Sequence, residues 1–194
     1  MVKIIADSTC DLSPELLERY DISVLPLHIL LDDREYCDGV NITPDEIYEW
    51  SDEHHTTPKT SAPALDMAIE RIGLYVKQKR QVVCFAISED MSTSANVMRM
   101  AARELEAEDL VTVIDSASLS TGIGLLVIHA AEMAQAGKTP EEIREEIEEL
   151  KPKVRASFVV DTLDYLKMGG RCSSVAALGA NLLKLHPCIE VIDG

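Results

Sequence analysis

The sequence predicts an α/β fold with a mainly parallel sheet that is covered by helices on both faces. Short apolar runs alternate with amphipathic segments along most of the 194 residues. Strands buried on both faces read as unbroken apolar runs, as they do in parallel sheets between helices. Two Thr-Pro-x-Glu sequences, at Thr43 and Thr139, are typical of helix starts because threonine and glutamate cap each other's backbone N–H groups.

The predicted strands are short apolar runs that end at polar loops. In chain order they cover 2–6, 22–31, 81–87, 110–114, 154–160 and 188–192. The second run contains Pro26, which cannot donate to a strand ladder and so predicts a break or bend. In parallel sheets ligands bind beyond the carboxyl ends of the strands, which directs attention to the loops after residues 6, 87, 114 and 160.

The predicted helices begin at capping residues or proline and end near glycine or proline. Their starts are Ser13, Thr43, Pro63, the residue after Ser92, Ser118, Thr139, Thr162 and Val175. The helix from Ser118 is expected to stop at Gly137, a favourable C-cap. Residues 53–60 are predicted to form a polar loop.

Two lobes are predicted. Lys151-Pro152-Lys153 follows an acidic helix and is the one candidate junction, so residues 1–152 are expected to form an N-terminal α/β lobe and residues 153–194 the beginning of a second. The chain stops at Asp193-Gly194, directly after a predicted strand. The second lobe is therefore expected to be incomplete.

Composition excludes several classes of protein. The net charge is −16, from 34 acidic and 18 basic side chains, and such a surface repels nucleic acids and anionic membranes. No apolar run approaches the roughly 20 residues of a membrane helix. The 5 cysteines are scattered without a close pair, which disfavours a disulfide framework or zinc site. No signal peptide is expected, because Met1-Val2-Lys3 leads straight into a predicted strand. A cytoplasmic protein without stable membrane insertion is expected.

Two similar loops are the strongest candidates for a binding site. Thr60-Ser61-Ala62-Pro63 and Ser88–Ser94 each place hydroxyl groups just before a predicted helix. Free N–H groups and the helix dipole favour an anion at such a position. If the loops meet, they form a cradle for one carboxylate or phosphate. Ordinary helix capping is the alternative for either loop alone.

Other candidate sites are weaker. Asp7 follows the first strand and could be an aspartyl nucleophile of a phosphate-ester hydrolase or phosphotransferase, but Thr9 stands where such chemistry usually needs a second acid. The alternative is an Asp side chain that forms hydrogen bonds with the backbone of its own turn.

Gly122 and Gly124 favour close helix packing rather than nucleotide binding. Gly169-Gly170-Arg171 predicts a tight turn that brings Arg171 to an anion. The histidines lack ligand spacing, so neither a metal nor a cofactor is expected.

The acidic stretch Glu141–Glu149 has two interpretations. A run of like charges on a helix is usually a solvated face. It could instead be a docking surface for a basic partner, which would make the chain a regulatory interaction protein.

Four segments together resemble the DegV family. They are Asp7–Leu12 (DSTCDL), Thr60-Ser61-Ala62-Pro63, Ile114-Asp115-Ser116 and, most specifically, Phe158–Arg171 (FVVDTLDYLKMGGR). The resemblance extends over essentially the whole chain. Members of this family are bacterial fatty-acid-binding proteins, and some serve as the binding subunit of a fatty-acid kinase.

The resemblance implies a ligand and a set of residues. A long-chain fatty acid would lie in an apolar tunnel between two lobes, with its carboxylate held by Thr60 and Ser92 and supported by Ser61, Thr93 and Arg171. A separate ATP-binding kinase subunit would phosphorylate the carboxylate to an acyl phosphate. This chain would itself be a lipid-binding protein without catalytic residues.

Overall fold

Nine strands and seven helices lie in the part of the chain that the structure describes, a computed structural model covering residues 1–170, 173 and 186–194. The strands are β1 (Lys3–Asp7), β2 (Ile22–Leu25), β3 (His28–Leu31), β4 (Arg34–Cys37), β5 (Lys59–Ser61), β6 (Val82–Ala86), β7 (Val111–Asp115), β8 (Ala156–Val159) and β9 (Cys188–Val191). The helices are α1 (Pro14–Arg19), α2 (Pro44–His54), α3 (Leu65–Val76), α4 (Ser94–Glu104), α5 (Thr121–Gln135), α6 (Pro140–Leu150) and α7 (Asp164–Met168).

The central sheet is parallel, with the strand order β2-β1-β6-β7. All three pairings are parallel, and every residue of β1 and β6 is buried. The apolar sequence of β6 and the apolar centre of β1, between Lys3 and Asp7, are consistent with this burial because both faces of each strand are covered. The predicted α/β fold with a mainly parallel sheet is confirmed.

Alternate side chains of the strands pack against different helices. Phe85 and its neighbours on one face pack with apolar residues of α5 and α6, such as Ile123 and Ile143. Cys84 and its neighbours on the other face pack with α3 and α4, for example with Ile72 and Met98. The sheet therefore separates two apolar layers, and the loops at its carboxyl edge are held from both sides.

The paired glycines of α5 are packing residues, as the sequence indicated. A β-carbon on Gly124 would lie 2.7 Å from the backbone oxygen of Cys10 and 3.0 Å from the Leu12 side chain. A β-carbon on Gly122 would collide with the Ser118 hydroxyl. Gly124 therefore lets α5 approach the turn that follows β1, and Gly122 leaves room for Ser118 before the helix.

Gly124→Ala should destabilise the protein although alanine is the better helix former. The added carbon meets backbone at Cys10, which cannot swing away as a side-chain tip can. We expect a loss of about 1–3 kcal/mol in the free energy of unfolding, measured by chemical denaturation. Gln135→Ala, on the exposed surface of the same helix, is the control and should change stability by less than about 0.5 kcal/mol. Equal effects of the two substitutions would contradict the close-packing interpretation.

The acidic helix α6 has an apolar side and a solvated side. Ile143 and Ile147 are fully buried against the central sheet. On the charged side, Glu142 pairs with Lys138 at 2.6 Å and Glu148 with Lys151 at 2.7 Å. This division is that of an ordinary amphipathic helix on a protein surface.

The predicted strand 22–31 is two strands in two different sheets. The chain leaves the parallel sheet after Leu25, and Pro26, which has no N–H to donate, stands at the break. β3 then joins an antiparallel sheet of order β4-β3-β5. The prediction of a loop over 53–60 was wrong at both ends, because Glu53 and His54 belong to α2 and Lys59 and Thr60 belong to β5.

The described part of the chain folds as two compact units. Unit 1 comprises Met1–Leu27, Ala62–Ala156 and Val191–Gly194, and holds the parallel sheet. Unit 2 comprises His28–Ser61 and Ser157–Glu190, and holds the antiparallel sheet with its own apolar cluster around Ile29, Leu31 and Ile42. The lobe boundary expected after residue 152 stays a prediction.

Candidate anion-binding site

The strand order of unit 1 has one switch point, between β1 and β6. From β1 the chain moves to one side of the sheet to form β2, whereas β6 and β7 lie on the other side. Loops on either side of such a point diverge and leave a crevice, which is where ligands bind in open α/β sheets. In this chain the two loops at that point are the turn Ser8–Cys10, after β1, and residues 87–93, after β6.

Asp7 ties these two loops together. Its carboxylate is completely buried, and one oxygen accepts hydrogen bonds from the backbone N–H of Thr9 at 3.2 Å and from the Thr9 hydroxyl at 2.5 Å. The other oxygen accepts from the backbone N–H of Ile87 at 2.9 Å. The prediction that Asp7 bonds its own turn is confirmed, and the bond across to Ile87 adds a tether.

This geometry disfavours Asp7 as a nucleophile. An aspartyl nucleophile needs an oxygen that a substrate can approach, and Asp7 has no exposed surface. Both of its oxygens already accept hydrogen bonds from the protein. The carboxylate therefore has a structural role, since it holds together the loop after β1 and the loop after β6.

Burial also shifts the titration of this group. Desolvation raises the pKa of Asp7, and the hydrogen bonds from Thr9 and Ile87 lower it by less. A carboxyl whose pKa is raised on folding binds more protons in the folded than in the unfolded state, over the pH range between the two pKa values. The slope of unfolding free energy against pH is then negative.

We therefore expect Asp7 to lower the stability of the protein as pH rises from about 4, the ordinary carboxyl pKa, to its raised value in the folded state. Chemical denaturation of the wild type and of Asp7→Asn across this range should show the difference. The wild type should lose stability relative to the variant as pH increases. The same pH profile in both proteins would show that Asp7 does not titrate abnormally.

The loop after β6 is rich in hydrogen-bond donors. The Ser92 and Ser94 hydroxyl oxygens are 3.0 Å apart, and the N–H of Ser94 donates to the Ser92 hydroxyl oxygen at 3.3 Å. Ser94 is fully buried and Ser92 is half-buried. In the first turn of α4, the backbone N–H groups of Ala95 and Asn96 have no acceptor among the described residues. Such groups, with the helix dipole, favour an anion.

Thr93 occupies the N-cap position of α4 but makes no side-chain capping bond. Its side chain is exposed. The structure therefore does not support the alternative that Thr93 acts as an ordinary side-chain cap of α4. Thr93 and Ser92 are both placed beside the free N–H groups of the first helical turn.

The loop after β7 supports the loop after β6. The N–H of Ser88 donates to the carbonyl oxygen of Ser118 at 3.0 Å, and the N–H of Glu89 donates to the Asp115 carboxylate at 3.1 Å. Asp115 also accepts from the N–H of Ala117 at 3.0 Å. The Ile114-Asp115-Ser116 segment therefore has a structural role, since it fixes the position of the serine-rich loop.

Thr60 and Ser61 lie in unit 2 and not at a helix N-terminus. Both belong to β5, where Thr60 pairs with Ile29 and Ser61 with His28, and both side chains are exposed. α3 begins only at Leu65, and its N-cap is Ala64, which has no side-chain capping bond. Thr60-Ser61-Ala62-Pro63 does precede a helix, but the prediction that the helix begins at Pro63 was wrong by two residues, and pairing with β3 makes Thr60 and Ser61 part of a strand.

Arg171 lies outside the described residues, as does the whole helix predicted from Val175. The turn before it is described: Gly170 has φ of +77°, which favours glycine. This agrees with the predicted tight turn after α7.

Neither a metal-binding group nor a membrane-spanning helix is found among the described residues. Within the described residues no group of three or more His, Cys, Asp or Glu side chains is arranged to hold a metal ion. None of the described helices has the length and apolar character required to span a membrane.

The fold and the two loops define an α/β protein with a donor-rich candidate site at the switch point of a parallel sheet. The family model described as "Uncharacterised protein, DegV family" matches residues 1–194. The chain belongs to the DegV family.

Relatives in sequence and structure agree with this assignment. A DegV domain-containing protein of Clostridium perfringens is 36% identical over 193 residues, which is 100% of this chain and 69% of that protein. A stearic-acid-binding protein from Eubacterium ventriosum is similar in structure with a TM-score of 0.90 and 35% identity, over 100% of this chain and 68% of that one. A fatty-acid-binding DegV protein from Thermus thermophilus has a TM-score of 0.86 and 31% identity, over 99% and 68%.

Proposed function

We propose that this protein binds a long-chain fatty acid in the cytoplasm and presents its carboxylate to a separate kinase subunit. The observation that carries the proposal is the loop Ser88–Ser94, whose hydroxyl and N–H donors lie at the switch point of a fold shared with fatty-acid-binding proteins. Thr60 and Ser92 would each donate a hydrogen bond to the carboxylate. Ser61, Thr93 and Arg171 would support them.

The electrostatics of the loop favour a carboxylate over a phosphate. The donors around Ser92 are uncharged, and Arg99, further along α4, is paired with Glu89. Asp7 adds a buried acid beneath the same loop. A phosphate group with nearly two negative charges is usually held by arginine or lysine, whereas a single carboxylate charge can be held by hydroxyls and N–H groups.

Lipid identification tests the proposed ligand. Native mass spectrometry of the purified protein should show an additional mass of one fatty acid, and denaturing extraction should release that acid for identification. A protein that carries no lipid, and that takes up no added fatty acid after delipidation, would contradict the proposal.

The kinase step has a separate test. In this proposal the kinase subunit transfers a phosphoryl group from ATP to the bound carboxylate, giving ADP and an acyl phosphate. Hydroxylamine should trap the product as a hydroxamate when both proteins, fatty acid and ATP are present. This protein with ATP alone should form none, since it contributes the bound acid but no catalytic group. Hydroxamate formed without the kinase would make the chain an enzyme.

A further inference from the structure

Glu89 is an ionisable residue in the loop that carries Ser92. The carbonyl oxygen of Ser88 accepts hydrogen bonds from the backbone N–H groups of Met91 and Ser92, both at 3.0 Å. Residues 88–92 therefore form one helical turn before α4. In such a turn, side chains three positions apart have β-carbons about 5–6 Å from each other. Glu89 thus lies beside Ser92.

The position of Glu89 is fixed through both its backbone and its side chain. Its backbone N–H donates to the Asp115 carboxylate at 3.1 Å, which ties the turn to the loop after β7. Its side chain forms an ion pair with Arg99, in the second turn of α4. The charge of Glu89 therefore stays close to Ser92 as long as both contacts are kept.

The ion pair neutralises the cation that belongs to this loop. Among the described residues, no lysine or arginine other than Arg99 forms an ion pair or a hydrogen bond with residues 87–94. Acidic groups are more numerous, since Asp90 lies in the loop and Asp115 accepts a hydrogen bond from it. Because Glu89 offsets Arg99, the loop and its immediate partners have a negative total charge.

A negative total charge discriminates between ligands by their own charge. The electrostatic part of the binding free energy is proportional to ligand charge, so a doubly charged head group is disfavoured about twice as strongly as a singly charged one. The hydroxyl and N–H donors around Ser92 serve either ligand. A carboxylate has one negative charge, whereas a phosphate monoester has nearly two at neutral pH. The charge of Glu89 therefore favours the carboxylate.

We propose that Glu89 is a specificity-determining residue of the head-group site: it neutralises Arg99, so that the site holds a singly charged carboxylate and disfavours the doubly charged acyl phosphate. The inference rests on the proposed function. Phosphorylation of the bound acid adds nearly one negative charge to the ligand and leaves the protein donors unchanged. The product is then held less tightly than the substrate, and it leaves for a reaction that transfers its activated acyl group to an acceptor.

The ion pair has a simpler interpretation, in which it only holds the loop against α4. The side chains of Glu89 and Arg99 are 43% and 40% exposed, and exposed ion pairs contribute little to stability. A purely structural pair predicts the same change in binding whichever partner is removed. Our proposal predicts opposite changes, because neutral Glu89 leaves Arg99 positive, whereas neutral Arg99 leaves Glu89 negative.

Two ligands with the same hydrocarbon chain test the proposal. Lipid-free protein is titrated calorimetrically with dodecanoate and with dodecyl phosphate at pH 8 and low salt, where their head groups carry one and nearly two negative charges. The measured quantity is the ratio of the two dissociation constants. Glu89→Gln should shift this ratio about two- to sixfold in favour of the phosphate, as one unit charge about 8 Å away does in a solvated site. Arg99→Gln should shift it by a similar factor in favour of the carboxylate.

A matched variant and a salt series control the experiment. Glu104→Gln makes the same change in charge at the exposed last residue of α4, ten residues after Ser94. That position is about 15 Å further along the helix, so the ratio should stay that of the wild type. Addition of about 0.5 M NaCl should reduce the shifts in both test variants, because salt screens charge and does not alter shape.

The outcomes distinguish this inference from the function on which it rests. Shifts in the same direction for Glu89→Gln and Arg99→Gln, or a shift in neither, would overturn the role of Glu89 and leave fatty-acid binding intact. So would a wild type that binds dodecyl phosphate more tightly than dodecanoate. A wild type that binds no dodecanoate would overturn the proposed function and this inference together.

Discussion

Thr60→Val combined with Ser92→Ala should weaken fatty-acid binding by about 100-fold to 20,000-fold. Each substitution removes one hydrogen bond to a charged carboxylate, and such a bond contributes about 1.5–3 kcal/mol. Because a factor of ten in affinity corresponds to about 1.4 kcal/mol, two lost bonds give this range. Thr60→Val keeps the shape of a side chain on β5, and Ser92→Ala leaves the backbone of the loop in place. Displacement of a fluorescent fatty acid measures the change.

A matched double variant controls for indirect effects. Thr56→Val with Ser157→Ala makes the same chemical changes at two exposed positions outside the proposed site. It should bind fatty acid as tightly as the wild type. If Thr60→Val/Ser92→Ala retains wild-type affinity while it stays folded, these hydroxyls do not hold the head group.

Phe85→Ala should cost about 3–5 kcal/mol of unfolding free energy. Phe85 has no exposed surface, lies in the central strand β6 and packs in the apolar layer between the sheet and α5 and α6. Removal of the ring loses its transfer free energy and leaves a cavity that rigid neighbours fill incompletely. Since domains of this size are stable by only about 5–15 kcal/mol, the change should be evident in chemical denaturation.

The chain offers a matched control for this prediction. It contains 2 phenylalanines, and the other, Phe158, is 38% exposed on β8. Phe158→Ala removes the same ring where solvent already reaches it and should cost distinctly less than Phe85→Ala. Similar losses at the two positions would mean that the layer around Phe85 adapts to the cavity.

The sequence predicted the helices and strands whose formation depends on residues that are close together in the chain. The capping boxes at Thr43 and Thr139 start α2 and α6 as expected, because each is complete within four residues. β1 and β6 are buried on both faces and so read as apolar runs. β4 and β5 were missed because they are largely exposed and polar, and they are strands only through pairing with β3. No local pattern marks such strands.

The candidate site was predictable to a similar degree. The hydroxyls of Ser92 and Ser94 and the helix that follows were visible in one loop. The bond from Ile87 to Asp7 was not, because it joins residues that are neighbours only through the parallel pairing of β1 with β6. That pairing could be inferred from the fold class, but the orientation of the Asp7 side chain could not.

The two neighbours of β1 leave the ribosome at very different times. β2 follows β1 directly, whereas β6, which pairs Val82 with Lys3, is synthesised only after β3, β4, α2, β5 and α3. During that interval one edge of an entirely buried core strand has no partner, and such edges favour aggregation. The β3–β4 hairpin, complete by Cys37, can form early. We therefore expect nascent chains to depend on chaperones until β6 and β7 have emerged.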